Sequence, residues 1–265
     1  GSALLVAVLN SNMNTALYLL DQGANPTVQD HWGFSPLHYA LFDGIVAIGM
    51  SRTRIPSDEI WLRHNLPEVV ESLLVHGADP NARVGRGISP FSYPAFARTT
   101  GNAMPEIRQP GATPFLLASA SLDINLMQLL LEYGADPLLT TNEGTTPMMV
   151  AAGMGRQEEL TADEKLAAVS AVTLLWEHGI DINASNQDGR TALAAAAYQG
   201  ADDVIEFLVE KGANMEAKDR YGQTALSIAM GKPYKITGGD KRFRRASLHQ
   251  SSVDLLLSLG AKPID

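Results

Sequence analysis

The side chains of this 265-residue chain that could do chemistry include carboxylates and histidines but no thiol, because it contains no cysteine. That absence removes a thiol nucleophile, a disulfide framework, cysteine-ligated zinc and iron–sulfur ligation together. Asp43, Glu143 and Asp188 could line one groove, where paired carboxylates can act as general acid and base. On a chain of net charge −9, solvated surface carboxylates are the simpler account of them. The six histidines (His31, His38, His64, His76, His178 and His249) show no HExxH or comparable ligand spacing, so no metal is expected. There is no P-loop, dinucleotide fingerprint or nucleophile elbow, and no cofactor is expected. Lys241-Arg242-Phe243-Arg244-Arg245 has the look of a nucleic-acid or acidic-partner patch, RRAS at 244–247 that of a basophilic kinase site, and Asn183-Ala-Ser185 is a glycosylation sequon; each is short enough to arise by chance.

Composition narrows the class further. Apolar residues make up 45% and charged residues 18%, with mean hydropathy of −0.03, values typical of a folded globular chain. No apolar run approaches the roughly 18 residues that a spanning helix needs. A pI of about 5.1 argues against specific nucleic-acid binding, which depends on neutralising phosphates. Gly1-Ser2 reads as a cloning remnant before an apolar helical pattern that starts at Ala3, so the sequence assigns no compartment.

The elements that must position these side chains are repeated. Gly-Ala-Asp/Asn or a close variant closes a leucine-rich stretch at 23–26, 77–80, 134–137, 179–182, 212–215 and 260–263. Successive glycines lie 54, 57, 45, 33 and 48 residues apart, which a 33-residue unit with insertions of 21, 24, 12 and 15 explains. A second landmark keeps phase: GFSPLHYAL (33–41), GATPFLLAS (111–119), GTTPMMVAA (144–152), GRTALAAAA (189–197) and GQTALSIAM (222–230). In each, a Gly makes a turn and a Ser or Thr caps a helix; Pro in three of them sits at the first helical position, where its missing N–H costs nothing. The second helix, as in LMQLLLEYG (126–134), carries apolar residues at i, i+3, i+4 and i+7 and ends on a Gly suited to a left-handed cap. Leu129, in the middle of the stack, is expected to be a core residue.

These two landmarks at a period of 33 resemble the ankyrin repeat, in the form with Pro after GAD and long loop insertions seen in bacterial members. Only His38 keeps the family's histidine; Leu116, Met149, Ala194 and Ser227 replace it elsewhere. The resemblance implies an all-α solenoid of helix-turn-helix units with hairpin fingers, spanning 3–263 as one domain. Its units are expected at 3–29 (partial), 30–83, 110–140, 141–185, 186–218 and 219–263. The insertions are expected at 45–65, 83–110, 155–166 and 231–250. The first helix of the unit at 30–83 should end near Gly44 and its second begin near Asn65. Capping signatures place the second helix of the unit at 141–185 from about Thr161 to Glu177, and offer Ser247 as a cap in the last unit.

Charge divides between the two parts. The four insertions together carry +7, which leaves −16 on the repeat body. The longest, 83–110, brings Phe91, Tyr93 and Phe96 together with Arg83, Arg86, Arg98 and Arg108. The resemblance further implies a non-catalytic module that binds a partner protein or peptide along its concave face and finger loops, as a monomer or as part of a larger chain. Carried onto matching positions, it points to His31, Trp32, Phe34, Phe42, Asp43, Arg83, Tyr93, Arg98, Glu143, Asp188, Arg190, Tyr198, Arg220 and Tyr221, with Asn142, Thr145, Gln187, Gln199 and Gln223 beside them. The rival reading is an enzyme or small-molecule binder with a pocket between the 83–112 finger and the groove, where Asp43, Glu143 and Asp188 would carry the chemistry.

Overall fold

Hydroxyl caps start the first helix of five consecutive units. Ser35, Thr113, Thr146, Thr191 and Thr224 each accept a hydrogen bond from the backbone N–H three residues on, satisfying a donor that the helix cannot. The computed structural model describes residues 2–49, 66–85, 110–156, 159–232, 234–235, 243–244 and 247–263. Along these run α1 (Ala3–Leu9), α2 (Met13–Asp21), α3 (Pro36–Ala40), α4 (Phe42–Gly49), α5 (Leu66–Val75), α6 (Pro114–Ser121) and α7 (Ile124–Glu132). They are followed by α8 (Pro147–Ala151), α9 (Ala162–Glu177), α10 (Ala192–Gln199), α11 (Asp202–Glu210) and α12 (Ala225–Ala229). The last unit adds β1 (Tyr234–Lys235) and β2 (Phe243–Arg244), antiparallel with Tyr234 opposite Arg244, and then α13 (Gln250–Ser258).

Two layers result. The first helices stack in the order α1, α3 with α4, α6, α8, α10, α12, and the second helices as α2, α5, α7, α9, α11, α13. Each unit lays its apolar faces on its neighbours, so the core is a continuous slab and not six separate cores. The first helices α3, α8 and α12 are buried along their whole length and α6 and α10 over most of theirs; alanines such as Ala195, Ala196 and Ala197 allow that close approach. Gly44 is a sharper case, since a Cβ there would lie 2.0 Å from the Leu117 carbonyl oxygen of α6.

The fingers share one hydrogen-bond scheme. Asp30, Thr141, Asn186 and Asp219 each donate their N–H to the carbonyl four residues on, at 3.0–3.1 Å. Gly33, Gly144, Gly189 and Gly222 close the turn by donating back to the first residue, with φ between +74° and +90°. Gly33 is irreplaceable twice over, because a Cβ there would also come within 2.3 Å of Gly85 N. Neighbouring fingers are joined by one backbone bond each: Gly85 to Trp32 O (3.1 Å), Asn142 to Pro110 O (2.9 Å), Gln187 to Glu143 O and Arg220 to Asp188 O (both 2.8 Å).

The finger that carries the longest insertion keeps the same scheme. Val84 N–H donates to Ala112 O at 2.9 Å, and Gly111 N–H returns to Val84 O at 2.8 Å. The insertion therefore enters after Gly85 and leaves before Pro110, between the two tip residues. Arg83, Val84, Gly85 and Pro110, expected within it, belong to the repeat itself. The interval 86–109 is the 24-residue surplus read from the spacing of the glycines.

Some local expectations change. The first helix of the second unit ends at Ala40 and not near Gly44; the chain turns at Leu41 and resumes as α4. Ser247 does not cap the last helix. His249 occupies that N-cap without a side-chain cap bond, because its Nε2 bonds Tyr198 O at 2.9 Å instead. Leu129 is half-buried; Leu130, beside it, and Met127 are the fully buried residues of α7. By contrast α9 begins where its capping box places it, with Thr161 and Glu164 bonding each other's backbone N–H.

Candidate functional site

The finger scheme decides which side chains can be reached. The two tip residues point outward: His31, Asn142, Gln187 and Arg220 are exposed, and Trp32, Glu143, Asp188 and Tyr221 are half-buried. The fifth residue, whose carbonyl accepts the N–H of the first, points inward. Phe34 (1% exposed), Thr145 (2%), Arg190 (3%) and Gln223 (8%) all occupy that place, so all four leave the set of partner contacts. Their carbonyls are held by the turn, which fixes the strand direction and drives the side chains under the finger.

The helix-end positions behave in the same way. Phe42 is 1% exposed and belongs to the core, a second correction. Gln199 is fully buried and bridges two segments: its Nε2 donates to Gly153 O (3.1 Å) and its Oε1 accepts from Leu160 N (2.9 Å). Only Asp43, in the first turn of α4, and half-buried Tyr198 remain accessible there. Arg83 is exposed and donates from Nη2 to Thr140 O at 2.7 Å. Tyr93 and Arg98 lie outside the described residues, as does most of the insertion on which a small-molecule pocket would depend.

The charged tips are organised. Arg220 pairs with Asp188 across adjacent fingers, and this contact raises the guanidinium's pKa. The Arg220 and Arg190 guanidiniums lie 5.3 and 5.9 Å from the centre of the Tyr221 ring. Beneath them Arg190 Nε faces Asp219 Oδ2 at 3.5 Å, in a pair that is almost fully buried. Asp219 Oδ1 meanwhile accepts from the N–H groups of Tyr221 and Gln223 (both 2.9 Å), so one carboxylate both shapes a finger and faces a buried cation. Of the three carboxylates with potential acid–base roles, Asp43 stands on a helix, Glu143 and Asp188 on successive tips, and Asp188 is ion-paired.

At the other end the interior is aromatic. Phe34 stacks on Tyr39 at 5.3 Å, and the Tyr39 hydroxyl donates to Asp30. Burial, with the neighbouring carboxylate, pushes that hydroxyl's pKa up. His38 Nδ1 accepts from Ser35 N at 3.1 Å and its Nε2 lies 3.4 Å from Ala112 O, a network that assigns the neutral Nε2–H tautomer. Burial pushes its pKa down to about 4.

The sequon asparagine has a structural task. Asn183 Nδ2 donates to Gly212 O (3.1 Å) and its Oδ1 accepts from Asn214 N (2.7 Å), tying one unit's turn to the next. Asn81 does the same with Gly134 O and Asp136 N. Two exposed aromatics, Tyr18 and Trp176, escaped the sequence reading. Trp176 is 41% exposed on the second-helix side, and a leucine-rich helix pattern hides it.

Comparison with known proteins agrees with this architecture. Family models described as ankyrin repeats match residues 160–263, 4–45 and 32–84. The chain is 31% identical to alpha-latroinsectotoxin-Lt1a of Latrodectus tredecimguttatus over 54% of its own length and 9% of the toxin's. It is 28% identical to the B-cell lymphoma 3 protein homolog of Mus musculus, over 79% of this chain and 43% of that one. Ankyrin repeat and SOCS box protein 3 of Bos taurus is 32% identical over 43% of this chain and 19% of its own. The chain thus spans less than half the length of each of these relatives. Among the described residues no helix is long and apolar enough to cross a membrane.

Proposed function

The chain belongs to the ankyrin-repeat family, whose repeats generally mediate protein–protein interaction, and we propose that it binds a partner protein along the row of finger tips. The observation that supports this reading is the contrast in exposure along each finger. The groove-facing positions Phe34, Phe42 and Arg190 are buried by the chain itself, whereas the tips keep Trp32, Glu143, Asp188, Arg220 and Tyr221 within reach. Trp, Tyr and Arg are also the residue types that dominate binding hot spots. Their spacing is held by the backbone ladder between fingers, so a partner meets a preorganised row and little ordering entropy is lost on binding.

The test is capture of partners on immobilised protein, with crosslinking and mass spectrometry to identify them. Trp32→Ala combined with Tyr221→Ala should reduce capture of the main partner at least tenfold while the melting temperature stays within a few degrees. Undiminished capture by the double variant would overturn the assignment of this surface.

A further inference from the structure

The finger row is one face of the molecule; the second helices form another, and there the charge is unbalanced. On α11, Asp203, Glu206 and Glu210 are exposed at spacings of three and four residues, which places them on one side of the helix. Glu177 ends the neighbouring α9 beside Trp176. Among the described residues none of these four carboxylates has a side-chain hydrogen bond or ion pair. Within this acidic ground lies an aromatic pair, exposed Trp176 and half-buried Phe207, edge to face with ring centres 6.4 Å apart.

The nearby cation chooses the rings. Lys211 places its Nζ 4.4 Å from the Trp176 ring centre and 5.6 Å from that of Phe207, and among the described residues makes no ion pair with a carboxylate. The aromatic pair thus already holds one ammonium group, that of Lys211, which an incoming cation would displace or join, and unpaired carboxylates lie on the same two helices. We propose that the outer face of α9 and α11 is a docking surface for a basic segment of a partner protein. Lysine or arginine side chains of that segment meet the exposed Trp176 ring and the carboxylates of Glu177, Glu206 and Glu210. Charge complementarity identifies the occupant. An apolar segment would leave four carboxylates without counter-ions, and an acidic one would be repelled by them.

This surface is separate from the finger tips, so the two assignments fail separately. A fluorescently labelled peptide of alternating arginine and glycine serves as the probe, with an alternating glutamate and glycine peptide as control. Binding is followed by anisotropy at low and high salt, and its location by amide NMR shifts. The expected result is salt-sensitive binding of the basic peptide alone, with shifts concentrated in residues 173–177 and 203–211. Trp176→Ala, and separately Glu206→Gln with Glu210→Gln, should each weaken it about tenfold with the fold intact by circular dichroism. Trp32→Ala with Tyr221→Ala should leave it unchanged. Equal affinity in the Trp176 variant, shifts centred on the fingers, or loss of binding on changing Trp32 and Tyr221 would overturn the proposal. So would sedimentation showing that the face is covered by the basic 231–250 segment of a second copy.

Discussion

The fingers at 30–34 and 186–190 have the same backbone and opposite interiors. Both donate the first N–H to the fifth carbonyl, both turn through a left-handed glycine, and in each an Asp or Asn Oδ1 accepts two backbone N–H groups. Yet the inward residue of one is Phe34, stacked on Tyr39, and that of the other is Arg190, facing Asp219. The hydrogen-bond ladder therefore carries the architecture, and the inward position is free to vary provided its own burial is compensated. Phe34 compensates by apolar contact. Arg190 needs an opposite charge, because an unpaired buried guanidinium would be prohibitively costly.

The largest effect should come from breaking that compensation. Asp219→Asn keeps the Oδ1 acceptor that shapes the turn but removes the charge facing Arg190, and should lower stability by about 3 kcal/mol in urea denaturation. Adding Arg190→Met should restore most of the loss; if the double variant is as unstable as the single one, the ionic reading of this finger is wrong.

The aromatic end has its own signature, in acid. His38 is held neutral with a pKa of about 4 against 6.5 unfolded, so the unfolded chain binds more protons between those values. Stability is then complete above pH 6.5, falls as the pH drops towards 4, and levels off below. The size is roughly 3 kcal/mol by linkage. His38→Leu, the residue type that Leu116 presents at the matching position, should flatten this dependence in pH-dependent thermal melts. A persistent slope in the variant would place the sensitive group elsewhere.

The smallest effect belongs to the exposed pair above the ionic finger. Arg220→Ala removes the contact to Asp188 from a solvent-facing tip and should leave the midpoint of urea denaturation nearly unchanged. A marked fall would mean that the tips hold the stack together as well as being available to a partner.

Much of this could be read before the fold was known. Spacing between glycines located the repeat and gave the 24-residue length of the interval 86–109, and Thr161 with Glu164 located the start of α9, because capping is a local matter between residues three apart. Positions whose side chain is turned inward were less legible. Phe34, Phe42 and Arg190 look like surface residues by alignment to the repeat, since nothing local says that the rest of the chain covers them. His249 shows the same limit, as its ring is taken by Tyr198 O, 51 residues away in sequence, and the expected cap at Ser247 is not used.

What the amino-acid sequence determined by itself was the unit: its period, its caps, its turns and the split between an acidic body and basic insertions. Caps and turns depend on residues within a few positions of one another, and the period and the charge split are a recurrence and a sum along the chain. Tertiary structure alone decided which of two neighbouring finger residues faces solvent, that the long insertion is spliced between two tip residues without breaking the ladder, and that Lys211 lies on Trp176 and Phe207. These depend on stacking one unit against the next, where burial and charge pairing are settled between residues far apart in the chain.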